Sequence, residues 1–202
     1  MIKTSNRILF VLLAVFALSA GVAAQEVGLK TNTLYLATST LNAGLDFRMA
    51  DKWSGSVHLS YNPWQFGNKA VTWANGTTVD ANPKLMHFLV MPEIKWWPCR
   101  VFERHAIGLH GIYAAYNVAA LPFPKQLKDH RYRGDLYGVG LSWGYQWAMG
   151  DRWGLEFSLG AGYLWTNYTK YEAGACGAEL GRAGKGFFAP TKLALNLIYF
   201  LK

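Results

Sequence analysis

The 202-residue sequence predicts an all-β fold, an eight-stranded antiparallel up-and-down transmembrane β-barrel behind a cleaved signal peptide. Three observations predict it. Apolar and polar residues alternate with a period of two through most of the chain, as in half-buried strands. Short and long connections alternate between those strands, as they do when the two rims of a barrel face different compartments. Aromatic residues gather near strand ends, where the two interfaces of a bilayer select them.

Residues 1–24 read as the signal and 25–202 as one barrel domain. Lys3 and Arg7 form the basic start, residues 8–18 the apolar run, and Val22 and Ala24 the small positions before a cut ahead of Gln25. That apolar run is short for a spanning helix, which needs about 20 residues. Beyond residue 24, polar residues interrupt every apolar stretch within a few positions. The mature chain is therefore soluble, or it crosses a membrane as a closed barrel.

The strands follow in order. Residues 27–36 and 42–49 alternate with modest contrast. In 53–62, Trp53, Val57, Leu59 and Tyr61 face one way and Ser54, Ser56, His58, Ser60 and Asn62 the other. Residues 85–97 and 105–118 repeat the pattern more weakly. In 137–147, Tyr137, Val139, Leu141, Trp143, Tyr145 and Trp147 alternate with Gly, Ser and Gln. In 153–165, Leu155, Phe157, Leu159 and Tyr163 oppose Glu156, Ser158, Gly160 and Gly162. Residues 187–201 close the set with Leu193, Leu195, Leu197, Tyr199 and Leu201 on one face. The connections at 50–52, 98–104 and 148–152 are short, and those at 63–84, 119–133 and 170–186 are long. The short connection at 37–41 breaks the scheme.

Period two alone does not separate a membrane barrel from a soluble sandwich or lipocalin. Composition does. The chain is 51 % apolar and 15 % aromatic but only 16 % charged, against about 25 % charged in an ordinary soluble domain. The polar faces carry Gly, Ser and Asn with paired charges, which suits a narrow lumen better than a solvated exterior. Trp53, Trp96, Trp147 and Trp153 lie near the short turns; Tyr61, Tyr137, Tyr163 and Trp165 lie near the long loops. The formal charge is +8, but the Lys and Arg residues are scattered rather than clustered, so nucleic acid is not an expected partner. Cys99 and Cys176 sit in no CxxC or Cys/His cluster, and no metal or cofactor is expected.

The pieces Lys30-Thr31-Asn32, Tyr61-Asn62-Pro63-Trp64, Met91-Pro92-Glu93, Tyr116-Asn117, Gly144-Tyr145 and Pro190-Thr191-Lys192 resemble domain-of-unknown-function family 3575, outer-membrane proteins of Bacteroidota. The resemblance spans nearly all of the mature chain and assigns no activity. It implies a surface-assembly, fimbria-associated context. Many members resemble one another in carrying two cysteines in the last long loop, where this chain has Cys176 alone.

The inward face collects Asp46, Arg48, Glu93, Lys95, Glu156 and Lys192, with His58, His87, His110, Gln146 and Asn196. An eight-stranded barrel is just wide enough for side chains to fill, so the expected arrangement is a lumen charge network that keeps the bore shut. A proton or ion path is the functional alternative. His58 and Ser60 have the spacing of a histidine–serine pair used by some lipid deacylases. Such enzymes need the pair facing lipid, and here the lipid face is Val57, Leu59 and Tyr61. No enzyme is expected.

In the long loops, Lys125, Lys128, Arg131 and Arg133 either meet outer-membrane lipid, with lipopolysaccharide phosphates as candidates, or are simply solvated. Trp64, Phe66 and Trp73 either form a contact surface for another envelope or surface protein or fold back over the barrel mouth. The leading reading is a non-enzymatic outer-membrane barrel of a Gram-negative bacterium with a structural, anchoring or surface-assembly role. The alternatives are a small transport or sensing channel and, further off, a lipid-modifying enzyme.

Overall fold

The computed structural model describes residues 26–65, 67, 69–72, 76, 78–81, 83–119, 130–172 and 177–201. Eight strands close a barrel: β1 (Val27–Asn32), β2 (Leu41–Ala50), β3 (Trp53–Gln65), β6 (Lys84–Trp96), β7 (Arg104–Ala119), β8 (His130–Ala148), β9 (Trp153–Glu172) and β10 (Glu179–Leu201). Around the ring they run β1, β10, β9, β8, β7, β6, β3, β2, so chain order is interrupted only by a separate hairpin of β4 (Lys69–Thr72) and β5 (Thr78–Ala81). Every neighbouring pair is antiparallel. The hairpin lies inside the long connection after β3.

At mid-height each strand turns a large aliphatic residue outward and a polar residue inward. Leu29, Leu45, Leu59, Ile94, Leu109, Leu141, Leu159 and Leu193, one on each barrel strand, are 44–64 % exposed. Lys30, Asp46, Ser56, Glu93, His110, Ser142, Glu156 and Asn196, again one per strand, are buried. A water-soluble barrel has the reverse arrangement, because its apolar face must fill the interior.

Two expectations fail. The run 27–36 does not continue as strand: β1 stops at Asn32, and Thr33–Ala37 forms a single helical turn, α1. Asn32 Oδ1 accepts from the Leu34 N–H (3.1 Å) and caps α1. The same amide reaches β10, Nδ2 donating to Leu193 O (3.4 Å) and Oδ1 accepting from Leu195 N (3.2 Å), while Thr33 Oγ1 donates to Leu195 O (2.8 Å). Side chains thus close the seam where the β1 ladder ends. Second, strand extends into all three long loops: β3 runs to Gln65, and β4 and β5 lie within 63–84. β8 starts at His130, β9 runs to Glu172 and β10 starts at Glu179, so β8, β9 and β10 reach 19, 20 and 23 residues. Residues 179–186 are all exposed. With both faces wet, that stretch carries no apolar alternation to announce it.

Proline falls where a ladder has ended or is interrupted. Pro190 sits in β10 beyond Asn196, the last residue paired with β1, beside a register shift between Pro190 and Lys192. Pro92 sits where the β6–β7 register skips from Val90–Tyr113 to Glu93–His110. A residue without an N–H is accommodated at such positions.

Candidate functional site

The interior holds three layers. At the end with short turns, the 98–103 connection folds under the barrel. Trp97, Val101, Phe102 and Ala106 are buried there, packed with Phe200. Trp97 Nε1 donates to Ser54 Oγ (2.9 Å), and its ring meets Phe102 edge-on with centroids 5.8 Å apart. Towards the other end, Met91, Ile112 and Leu164 pack with Leu89, Leu136, Phe187 and Ala189. Between these apolar layers lies the charge network.

Glu93 is its hub. Lys192 Nζ contacts Glu93 Oε2 at 2.6 Å and Lys95 Nζ the same oxygen at 3.8 Å. Ser142 Oγ donates to Oε1 (2.5 Å) and Ser56 Oγ to Oε2 (3.3 Å). Lys95 also reaches Glu156 Oε1 at 2.5 Å, and Lys30 pairs with Asp46 at 2.7 Å. Three carboxylates and three ammonium groups balance, all with side chains no more than 8 % exposed. Buried charges persist only when paired in this way. β7 contributes space rather than charge: a Cβ on Gly108 would press on Ser142 Oγ and stand 2.7 Å from Glu93 Oε1. Likewise a Cβ on Gly44 would stand 2.8 Å from Lys30 Cε.

Asp46, Glu93, Lys95, Glu156 and Lys192 come together as the alternation predicts. Arg48 does not join them. It has the inward parity, but it lies at the turn end of β2, beside a register shift between Arg48 and Ala50. There it contacts Asp51 (3.1 Å) and Glu26 (4.0 Å), with a third of its side chain exposed. Lys30 takes its place as Asp46's partner. The alternation Gly28, Lys30, Asn32 was the available signal for it.

His58 and Ser60 face inward. His58 lies against Tyr35 of α1, ring centroids 6.0 Å apart. Neither His58 Nε2 nor Ser60 Oγ has a hydrogen-bond partner among the described residues, so the two do not form a nucleophile–base pair. His110 instead reaches Thr191 Oγ1 (2.8 Å).

Of the loop residues, Trp64 lies at the end of β3, where its Nε1 donates to Ser39 O (3.2 Å). Arg131 Nε donates to Asn117 Oδ1 (3.1 Å) and its guanidinium stands over Tyr171 at 5.1 Å. Arg133 lines an open depression of about 580 Å³ on the outer face of β8, β9 and β10, with Arg182 on its far side. Arg182 was not among the expected contacts. Phe66, Trp73, Lys125 and Lys128 lie outside the described residues.

The family model described as "Protein of unknown function (DUF3575)" matches residues 8–201. No curated protein matches the chain.

Proposed function

The chain belongs to the DUF3575 family of proteins of unknown function, and we propose that it is a non-enzymatic outer-membrane β-barrel with a structural, anchoring or surface-assembly role. One observation carries the reading. The barrel exposes a continuous apolar belt, with an exposed large aliphatic residue on every barrel strand, and at that height buries its charges inside. In water that belt would be an aggregation surface; in a bilayer it is the required exterior. Aromatics flank the belt on both sides: Trp53, Trp96, Trp147 and Trp153 below, Tyr61, Tyr137, Tyr163 and Trp165 above, each 37–47 % exposed.

The charge network favours an anchor over a channel. Lys95–Glu156 spans the bore, and apolar layers lie above and below it. The functional surface is then the part of β8, β9 and β10 that projects past the upper aromatics, available to lipid headgroups or to another envelope protein.

Cell fractionation tests the membrane reading. The protein should remain with the outer membrane after a carbonate wash and migrate differently before and after boiling. Recovery in the soluble fraction would overturn it. Purified barrel added to planar bilayers should give no discrete conductance steps; stable unitary currents would favour a channel instead.

A further inference from the structure

The depression above the upper aromatics has the makings of an anion site. Arg133 of β8 and Arg182 of β10 lie in register with Thr169 of β9, which stands between them. All three share the outer face with Tyr137 and Trp165, whose rings stack 6.0 Å apart at 15°. Alternate strands lie about 10 Å apart at Cα, two ladder spacings. One tetrahedral oxyanion fits between two guanidiniums at that separation, with a threonine hydroxyl beneath it.

The height fits a lipid headgroup. Arg133 is four residues beyond Tyr137, and Thr169 four beyond Trp165. That is about 13 Å along a strand and about 10 Å along the membrane normal at the usual tilt. Tyr and Trp rings mark the interface itself, and an arginine side chain is long enough to bend back towards it. The surroundings lean positive. Lys84 and Arg131 follow on the same face, aligned through Ala119. Burial and then Arg131 hold the Lys84 ammonium below its ordinary pKa. Two carboxylates oppose them: Asp135, which accepts from Tyr113 Oη (3.0 Å), and Glu179, which pairs with Arg182 through Nε (2.9 Å). The Nε contact leaves the terminal nitrogens of Arg182 without an ion-pair partner among the described residues. Arg133 has no ion-pair partner among the described residues. Gly184 keeps the floor open, since a Cβ there would stand 2.8 Å from Asn167 Oδ1.

We propose that this depression binds a phosphate group of an outer-leaflet lipid, clamped by Arg133 and Arg182 on either side of Thr169. The proposal rests on the outer-membrane reading and gives its outward face a ligand. It also gives Arg133 an ion-pair partner where none stands among the described residues.

The test uses full-length mature barrel in dodecyl maltoside, whose folding is checked by heat-modified migration. Diphosphoryl lipid A, its dephosphorylated form and inorganic phosphate are each titrated, with native mass spectrometry counting the bound molecules. One diphosphoryl lipid A should bind per barrel. Its affinity should fall at least about tenfold in Arg133→Gln/Arg182→Gln, the loss expected of charge-assisted contacts. Arg152→Gln, at the opposite rim, should leave it unchanged. Equal binding by the double variant, or by the dephosphorylated lipid, would overturn the proposal. Inorganic phosphate binding as tightly as the lipid would overturn the lipid source. Because the protein is already in detergent, these outcomes are independent of the fractionation result. A barrel that fractionates with the outer membrane yet fails here loses only this site.

Discussion

Lys95 and Glu156 meet at 2.5 Å although they belong to β6 and β9, strands that share no ladder. The contact is a chord across the barrel. It ties strands three places apart in the ring at mid-height, while Lys192 joins Glu93 from β10, directly opposite β6, and Ser142 adds β8.

The chord predicts a specific pattern of losses. Glu93→Ala should destabilise the barrel by about 3–5 kcal/mol, because it strands Lys192 and weakens Lys95 in a buried setting. Leu159→Ala, on the exposed belt, should cost less, since solvating lipid replaces part of the lost contact. Urea titration in lipid vesicles ranks the two. Equal and negligible effects would mean the lumen is wet and the charges are solvated.

A double-mutant cycle on Lys95→Met and Glu156→Met follows. Each single change leaves a buried charge without its closest partner, whereas the double change removes both. The double variant should therefore be more stable than either single one. Additive losses would show that the 2.5 Å contact carries no coupling.

Gly108 is an independent probe. Gly108→Val puts a branched side chain against Ser142 Oγ and Glu93 Oε1. The serine–carboxylate hydrogen bond must break or the wall must shift, at a cost of about 1–3 kcal/mol. Pairing with Ser142→Ala tests the cause: the second change should relieve part of the loss.

At the seam, Asn32→Ala removes the cap of α1 and both amide contacts to β10. A loss of about 1–2 kcal/mol is expected. Hydrogen exchange at the Leu195 amide should accelerate while that of Leu159 does not. Unchanged exchange at Leu195 would show that the ladder closes without Asn32.

The cysteines should remain apart. Cys99 is free and exposed in the connection between β6 and β7 at the turn end. Cys176 lies outside the described residues; it falls in the sequence between Glu172 of β9 and Glu179 of β10, the strand ends at the opposite rim. A spanning strand separates those ends by more than about 20 Å, and a disulfide needs Cα atoms within about 7 Å. Non-reducing peptide mapping should find no Cys99–Cys176 crosslink. If the short turns face the periplasm and the long connections the outside, a membrane-impermeant maleimide on intact cells should label Cys176 and spare Cys99; the reverse would invert that orientation.

Alternation alone assigns most residues of the apolar belt to one side of the wall. A period of two separates Leu159 from Glu156 and Leu59 from His58 without any tertiary information. It therefore showed the eight barrel strands, the apolar exterior and five members of the charge network, but not the β4–β5 hairpin. What it could not give was height. Facing residues meet only after the strands are staggered, and the stagger is a property of the closed ring. So Arg48, with the right parity, lies at the rim, and Lys30, on a strand of six residues, reaches Asp46. Register shifts add a second obstacle. The one between Pro190 and Lys192 turns Phe187 inward and leaves Phe188 73 % exposed, against the parity that holds from Lys192 onward. Beyond the apolar belt both faces are wet, and alternation disappears. Only the ladders through Thr169 bring Arg133 and Arg182, forty-nine positions apart, to the same rung.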